Sequence, residues 1–458
     1  VVAETLKRLG KYTFADAIDA KFKSRGVVFA AAISTLVVSL FYLIPQMVGA
    51  GTLITPLLGL PFEVGVLIVG CVVILIVATA GMASTTWVQF IKGGLLVVFS
   101  LVLVIMLLVR GFSTTPDQNG IPFHKLSTIK VTNSTPGSIA IADSSYTVMK
   151  DYTVGEGAKA KTFVKLTKNN IDSFWKLEAA KGILTETQSI TKQPSGPDLY
   201  NGAPKSDGLF FQVGNLSEID GETDIQTSAV NPLSFFEKMK GGTVLRWGTQ
   251  KLTDGDNHVT VYYQIPTDGA TVLIPGEKFK IDPAKGATTA DRVNFISLLI
   301  SLFLGTAALP HILIRYYTVP NPAFARKSTI VAVAAIGLFY LLTLYMGLGA
   351  MTHGVIDITN DNMSAPLLAR SFGIGIFAVI SAIAFATILG TVSGLIVAAS
   401  GAVANDLIHK FMRIQLSDRK MVMAGRITAV VVGIIAMALG VLFKHMNVSY
   451  LVGWAFTI

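Results

Sequence analysis

The chain has 458 residues, 52% of them hydrophobic and only 14% charged, with a formal net charge of +9 at pH 7. Its apolar residues gather in runs of the roughly 20 residues that a bilayer-crossing helix needs, which excludes a water-soluble globular protein and indicates a polytopic membrane protein. The excess of positive charge does not signal a nucleic-acid partner, because the basic residues flank the apolar runs at alternate ends, as the positive-inside rule requires.

In chain order, hydropathy places spans at about 27–55, 63–82, 85–109, 291–318, 328–351, 371–404 and 424–444, with an eighth beginning near Val448. A basic amphipathic stretch (Lys7, Arg8, Lys11, Lys21, Lys23, Arg25) precedes the first. Together with Lys92, the Arg315/Arg326/Lys327 loop and the Lys410/Arg413/Arg419/Lys420/Arg426 loop, it marks the cytoplasmic side. The loops from Thr52 to Pro61 and from Asp357 to Asp361 carry no Lys or Arg and fall on the other side; Lys444 is the exception. No signal sequence opens the chain, and both ends read as severed. Cys71, the only cysteine, lies in the second span; it permits no intrachain disulfide and reads as a small apolar filler.

Gln46, between Pro45 and the Gly49-Ala50-Gly51 run, is a neutral polar side chain inside the first span. Such a residue faces the bundle interior, as substrate contact or as helix-to-helix glue, and the glycines beside it need only mean close packing. Thr85, Thr86, Trp87 and Gln89 sit at the cytoplasmic mouth of the third span, where Trp87 reads as an interfacial anchor.

Three regions follow from the pattern: membrane segments over 1–110, one polar block over 111–290, and membrane segments again over 291–458. Runs such as His258 to Ile265 and Ala270 to Ile274, punctuated by Asp-Gly and Pro-Gly pairs, predict strands with turns. Asn169 to Gly182 and Pro232 to Lys240 predict short helices. The block is thus expected to be a small α+β or mostly β extracytoplasmic domain. Its sequence shows no metal-ligand cluster, glycine-rich phosphate loop or nucleophile elbow, so the chain is not read as an enzyme and no cofactor is implied. A passive cap and a ligand-sensing or partner-binding module both remain open for it.

The most informative segment runs from Asn294 through Gly305-Thr306-Ala307-Ala308-Leu309-Pro310-His311 to Arg315. A Gly followed by a Pro at membrane depth loosens the helix and removes a backbone donor, where unsatisfied amides are costly. Secondary transporters place their sites at such interrupted helices. Gly305, Thr306 and Ala307 are therefore candidate substrate contacts through backbone groups and the Thr306 hydroxyl, a helix N-terminus favouring an anion; a simple kink is the alternative. His311 reads either as a contact to a carboxylate or proton relay, or as a structural hydrogen-bonding group. Arg315 reads as an anchor at the cytoplasmic end of its helix. In the sixth span Thr387, Thr391 and Ser393 bring hydroxyls into an apolar run, Thr387 and Thr391 on one face. Hydroxyls and carbonyls suit a hard cation, unless these merely bond back to carbonyls one turn earlier. Asp406 reads as a solvated or salt-bridged loop residue.

Several stretches together resemble the sodium:solute symporter family, and within it most closely the cation/acetate symporters. They are Leu9-Gly-Lys-Tyr-Thr-Phe-Ala-Asp16, Tyr42-Leu-Ile-Pro-Gln-Met-Val-Gly-Ala-Gly51, Ala83-Ser-Thr-Thr-Trp-Val-Gln-Phe-Ile-Lys92, Phe303-Leu-Gly-Thr-Ala-Ala-Leu-Pro-His-Ile-Leu-Ile-Arg315 and Ser381-Ala-Ile-Ala-Phe-Ala-Thr-Ile-Leu389, in this order. The resemblance implies an all-α LeuT-like inverted-repeat fold, here partial, from core helix 3 to core helix 10, with the polar block inserted between core helices 5 and 6. Core helices 1 and 2 are then absent, and the chain is a fragment. The polar block is longer than the connection such symporters have there.

The resemblance also implies paired hydroxyls for sodium at the positions of Gly390 and Thr391, with a backbone carbonyl near Thr387. Gly390 has no side chain, which leaves sodium and the proton open as coupling ion, with Thr387, Gly390, Thr391 and Ser393 as candidate ion residues. The function expected is symport of a short monocarboxylate such as acetate across the bacterial inner membrane, with Gln46, Gly305, Thr306, Ala307 and His311 as substrate residues. Propionate, pyruvate or a neutral solute are alternative cargoes, and a transporter-like membrane sensor is the rival class. The partners implied are the small carboxylate and the lipid bilayer; no obligate protein partner is evident.

Overall fold

The computed structural model describes residues 2–9, 13–79, 82–157, 160–276, 280–282, 286–317 and 319–458, with side chains for all of these except 2 and 82–88. Thr85, Thr86 and Trp87, the mouth residues expected above, therefore lie outside the described side chains.

Two short helices, α1 (Val2–Leu9) and α2 (Phe14–Phe22), lead into α3 (Arg25–Leu58), α4 (Phe62–Thr79) and α5 (Met82–Arg110). The strands β1 (Thr128–Asn133), β2 (Ala140–Ile141), β3 (Thr147–Val154), β4 (Lys161–Lys168), β5 (Ile171–Glu178), β6 (Ile183–Glu186), β7 (Gln188–Lys192), β8 (Leu199–Tyr200) and β9 (Val213–Ile219) follow. After α6 (Pro232–Lys240) come β10 (Gly242–Asp254), β11 (Asn257–Asp268) and the single turn α7 (Gly269–Val272). Helices resume with α8 (Thr289–Ala307), the one-turn α9 (Pro310–Leu313) and α10 (Pro322–Thr352), then β12 (His353–Ile356), α11 (Ser364–Arg370) and α12 (Ile374–Gly401). A π-helix over Ala402–Phe411 extends α12, and α13 (Asp418–Leu442) and α14 (Val448–Thr457) finish the chain. Among the described residues seven helical stretches are long and apolar enough to cross a membrane, each overlapping an expected span, and α14 is a shorter apolar helix.

The chain divides into two compact units, one of Val1–Val104, Lys278–Met346 and Gly373–Ile458, the other of Ile105–Glu277 and Gly347–Phe372. In the helical unit, Leu43, Met47 and Ala50 of α3 pack with Val66, Val69 and Val73 of α4, Val392, Leu395, Ile396 and Ala399 of α12, and Val432 and Ala436 of α13. Elsewhere its apolar residues point outward, as Leu95 and Val98 on α5, Ile296 and Phe303 on α8, and Ile330 and Val333 on α10 do. That inversion suits a body whose solvent is hydrocarbon. Cys71 is on this outward surface rather than filling the core. Lys444, the exception to the charge rule, forms an ion pair with Glu63 at 2.8 Å. The helix α3 continues through Pro45 and Pro56 and stops at Gly59, whose φ of 67° is the left-handed geometry that a Cβ disfavours.

The other unit contains two six-stranded antiparallel sheets, ordered β2-β1-β6-β5-β4-β3 and β12-β9-β10-β11-β7-β8. Phe163 and Phe174 from the first pack against Leu252, Val259, Val261 and Tyr263 from the second, giving a dry layer between them. The expected helix at Pro232 to Lys240 is present, N-capped by the Asn231 side chain. Two expectations are corrected. Residues 171–178 of the predicted helix Asn169 to Gly182 form strand β5, whose Phe174 and Trp175 meet sheet cores that outweigh local propensity. The predicted strand Ala270 to Ile274 instead holds the turn α7, because the Asp268 carboxylate caps the Ala270 N–H at 2.7 Å and starts a helix.

Candidate functional site

In the helical unit the helix is interrupted within the expected stretch, toward its C-terminal end. Gly305, Thr306 and Ala307 are still helical, and the chain leaves the helix at Ala308 and Leu309 before Pro310 opens α9. Pro310 has no N–H to donate, while the N–H groups of Ile312 and Leu313 both reach Leu309 O at 3.0 Å. With only four residues, α9 is too short to build the dipole that an extended helix N-terminus would offer.

Two cavities flank this break and share Phe14, Thr35 and Pro310 in their walls. The larger, about 340 Å³, runs between α3, α8 and α14, with Ser34, Val38, Ser301, Gly305 and Ala308 also in its lining. The smaller, about 130 Å³, is closed by Thr13, Val397, Ala398 and Asp406. Gly305 lines the larger one, and a Cβ there would collide with the backbone of Phe456 on α14. Its smallness lets two helices touch. Thr306 and Ala307 face outward from the unit, and the Thr306 hydroxyl donates to Leu302 O at 2.6 Å.

His311 is buried beside the break, its ring stacked on Tyr42 with centroids 5.5 Å apart, and Tyr42 in turn meets Phe456 at 5.4 Å. The Nδ1 atom of His311 has no hydrogen-bond partner among the described residues, and neither have the buried hydroxyls of Ser39 and Ser381. Buried polar atoms left unpartnered are uncommon, and they mark places where a small polar molecule has something to bind. Thr35, Ser39, Tyr42 and Gln46 recur at spacings of four, three and four, so they form one polar stripe along α3. Gln46 is half-buried on that stripe, whereas Gly49 and Gly51 serve packing against Ile388 and Phe62. The stripe is legible in the sequence as a period in an apolar span, of which Gln46 is the most polar member.

Below the smaller cavity, Asp406 is buried inside the π-helix, where it accepts hydrogen bonds from the Thr13 hydroxyl at 2.9 Å and the Asn405 amide at 2.8 Å. It is not a solvated loop residue. Thr13 also forms a capping box with Asp16 at the start of α2, so one threonine ties α2 to the end of α12. Lys410 pairs with Asp16, the Arg25 guanidinium donates to Phe411 O, and Lys7 donates to Tyr317 O at 2.8 Å. These contacts tie the segments at the basic end of the unit together.

The candidate ion residues on α12 take the alternative left open by their sequence. Thr387 donates to Ile383 O at 2.8 Å, Thr391 to Thr387 O at 3.1 Å and Ser393 to Leu389 O at 2.7 Å, each one turn back along the helix. What meets the Gly390 face is side chains of α5: the Gln89 amide donates to Gly390 O at 2.6 Å, and the Lys92 ammonium to Ala386 O. Arg315 is half-buried, and a Cβ on Gly394 would lie 3.0 Å from its Nη2.

A family model described as the sodium:solute symporter family matches residues 1–147 and 256–458. The chain belongs to that family. The unmatched stretch, 148–255, lies within the strand-bearing unit. Two curated relatives are an uncharacterized symporter, YwcA, of Bacillus subtilis, 30% identical, and a monocarboxylic acid transporter of Corynebacterium glutamicum, 32% identical. Each alignment takes in 100% of this chain, and 61% and 60% of the respective relative, so the chain spans about three-fifths of their length. No solved structure matches it. Family membership and the membrane-capable helices together make it a multi-pass integral membrane protein of a transporter family rather than an enzyme.

Proposed function

We propose that the whole protein is a secondary active transporter that couples uptake of a short monocarboxylate, such as acetate, to the inward movement of a cation. The observation that carries this reading is the broken helix at Ala308 and Leu309 with a cavity on either side, in a member of a solute symporter family one of whose relatives is named a monocarboxylic acid transporter. We read the frame as LeuT-like, with α3 as core helix 3, the α8–α9 segment as core helix 6 and α12 as core helix 8. Tyr42, Gln46, His311 and the backbone at Gly305 and Ala308 then face the substrate. No bond in the substrate is made or broken. The protein supplies differential binding: cation and carboxylate together stabilise one access state, and both leave when the helices rock. A carboxylate alone at the bilayer centre is opposed by about 2.5–3.5 kcal/mol even on the lenient scale, so its charge must travel compensated.

Labelled acetate uptake into proteoliposomes holding the whole protein, with sodium and proton gradients imposed separately, tests the reading. Uptake under one of the gradients is expected, with propionate and pyruvate competing to rank the cargo. No uptake under either gradient sinks it. One observation favours a second reading, a membrane receptor: a cavity of about 310 Å³ in the strand-bearing unit, where His124 stacks on Phe211 at 3.8 Å and the buried Trp247 indole N–H has no partner among the described residues. Ligand-dependent fluorescence that vanishes in Trp247→Phe would support that role.

A further inference from the structure

On α12 one of the positions expected to hold a coupling cation, Gly390, already stands beside one, and it is part of the chain. The Lys92 ammonium donates to Ala386 O, and a Cβ built on Gly390 would stand against Lys92 Nζ and 3.0 Å from Gln89 Cγ. Glycine at 390 is therefore what admits the ammonium; a serine or threonine there would occupy its place. Gln89, one turn before Lys92 on the same face of α5, fastens the register through its bond to Gly390 O. The nearby hydroxyls of Thr387, Thr391 and Ser393 spend their protons on carbonyls of their own helix. Nothing acidic answers the lysine: Ile374–Gly401 holds no Asp, Glu, His, Lys or Arg, and among the described residues no carboxylate lies within ion-pair distance of Nζ. Arg315 is a second cation nearby, seated against Gly394 one turn along the same face of α12. A sodium ion entering here would have to displace one fixed positive charge and sit beside another.

We propose that Lys92 is a tethered cation which fills the ion position of α12, so that transport by this protein proceeds without sodium. The proposal rests on the symport reading above. It differs from that reading in assigning the cation at α12 to the chain itself. An ammonium and a sodium ion carry the same charge and are satisfied by the same carbonyl oxygens, but the ammonium is covalently held and cannot cross.

Two measurements on the whole protein test it. Binding of radioactive sodium to the purified protein, read by scintillation proximity, is expected to show no specific site in the wild type and to appear in the double variant Lys92→Ala, Gly390→Ser, which removes the ammonium and restores a hydroxyl. One sodium bound per wild-type chain, unchanged by Lys92→Ala, would overturn the proposal. In proteoliposomes, monocarboxylate uptake by the wild type is expected to change less than twofold when sodium is replaced by choline. A tenfold or greater loss on that replacement would also overturn it. Lys92→Arg keeps the charge and guards against simple misfolding: it should retain at least half of wild-type substrate exchange and remain indifferent to sodium. If no monocarboxylate moves under any gradient, the transport reading fails, yet the sodium-binding measurement still decides the place of Lys92.

Discussion

Lys165 in the strand-bearing unit and Lys92 in the helical unit present the same ammonium to opposite surroundings. Lys165 reaches Asp172 and Asp254 at 2.8 Å each, and Tyr152 donates a second hydrogen bond to Asp254 at 2.7 Å. Burial works against the Lys165 charge, but the two carboxylates outweigh it and hold its pKa above the ordinary lysine value. Every charge there has its answer, and the cluster ties the first sheet to the second. Lys92 meets the Ala386 carbonyl and lies against Gly390 of α12, one turn from Gly394, where Arg315 is seated. A lysine fully matched within its own unit stabilises it, whereas one held by neutral oxygens beside a like charge supplies a field for something that comes and goes.

The largest expected effect breaks this contrast directly. Lys92→Met should reduce gradient-driven uptake by tenfold or more, while Lys165→Met should leave uptake within twofold and lower the stability of its own unit by about 1–3 kcal/mol, from two carboxylates losing their donor. Parallel uptake and urea-unfolding curves decide it; equal effects on uptake would dissolve the distinction between the two lysines.

A histidine in each unit offers a second comparison. His353 is buried with Nε2 bonded to Gly111 O at 2.9 Å and Nδ1 3.0 Å from the Thr352 hydroxyl, and burial pushes its pKa down to about 4. Because the folded value is below the unfolded one, the unfolded chain takes the proton first as pH falls. Stability is then complete above about pH 6.5, declines toward pH 4 by about 3 kcal/mol, and levels off below. Hydrogen exchange of β9 and β12 across that range should show the decline, and His353→Gln should flatten it. His311, with an unpartnered Nδ1, is expected to matter for substrate instead.

Gly305→Val should destabilise the packing of α8 on α14 by about 1–3 kcal/mol through overpacking, seen as a lowered melting temperature of the detergent-solubilised protein. Unchanged melting would mean that α14 moves away freely. The smallest effect is expected for Thr306→Ala, whose hydroxyl bonds within its own helix on an outward face: uptake within twofold of wild type. A tenfold loss would return Thr306 to the substrate path.

Hydropathy determined most of the helical unit, since a bilayer-spanning helix must satisfy its backbone internally and cover itself with apolar side chains, and both demands are written in consecutive residues. The Gly and Pro around 305–310 likewise announced a break. What the sequence by itself could not settle was where side chains end up relative to other helices. Gly305 reads as part of the break and is a contact with Phe456; Asp406 reads as a solvated or salt-bridged loop residue and is buried. Within the strand-bearing unit, β5 is a strand because the adjacent Phe174 and Trp175 point to opposite faces of the sheet and each finds a separate core there, which local sequence does not reveal. Lys92 is the plainest case. Counted along the chain it is one more cytoplasmic-side cation, and only the close approach of α5 to the glycine face of α12 places its charge on Ala386 and Gly390, because that position depends on packing between segments nearly three hundred residues apart.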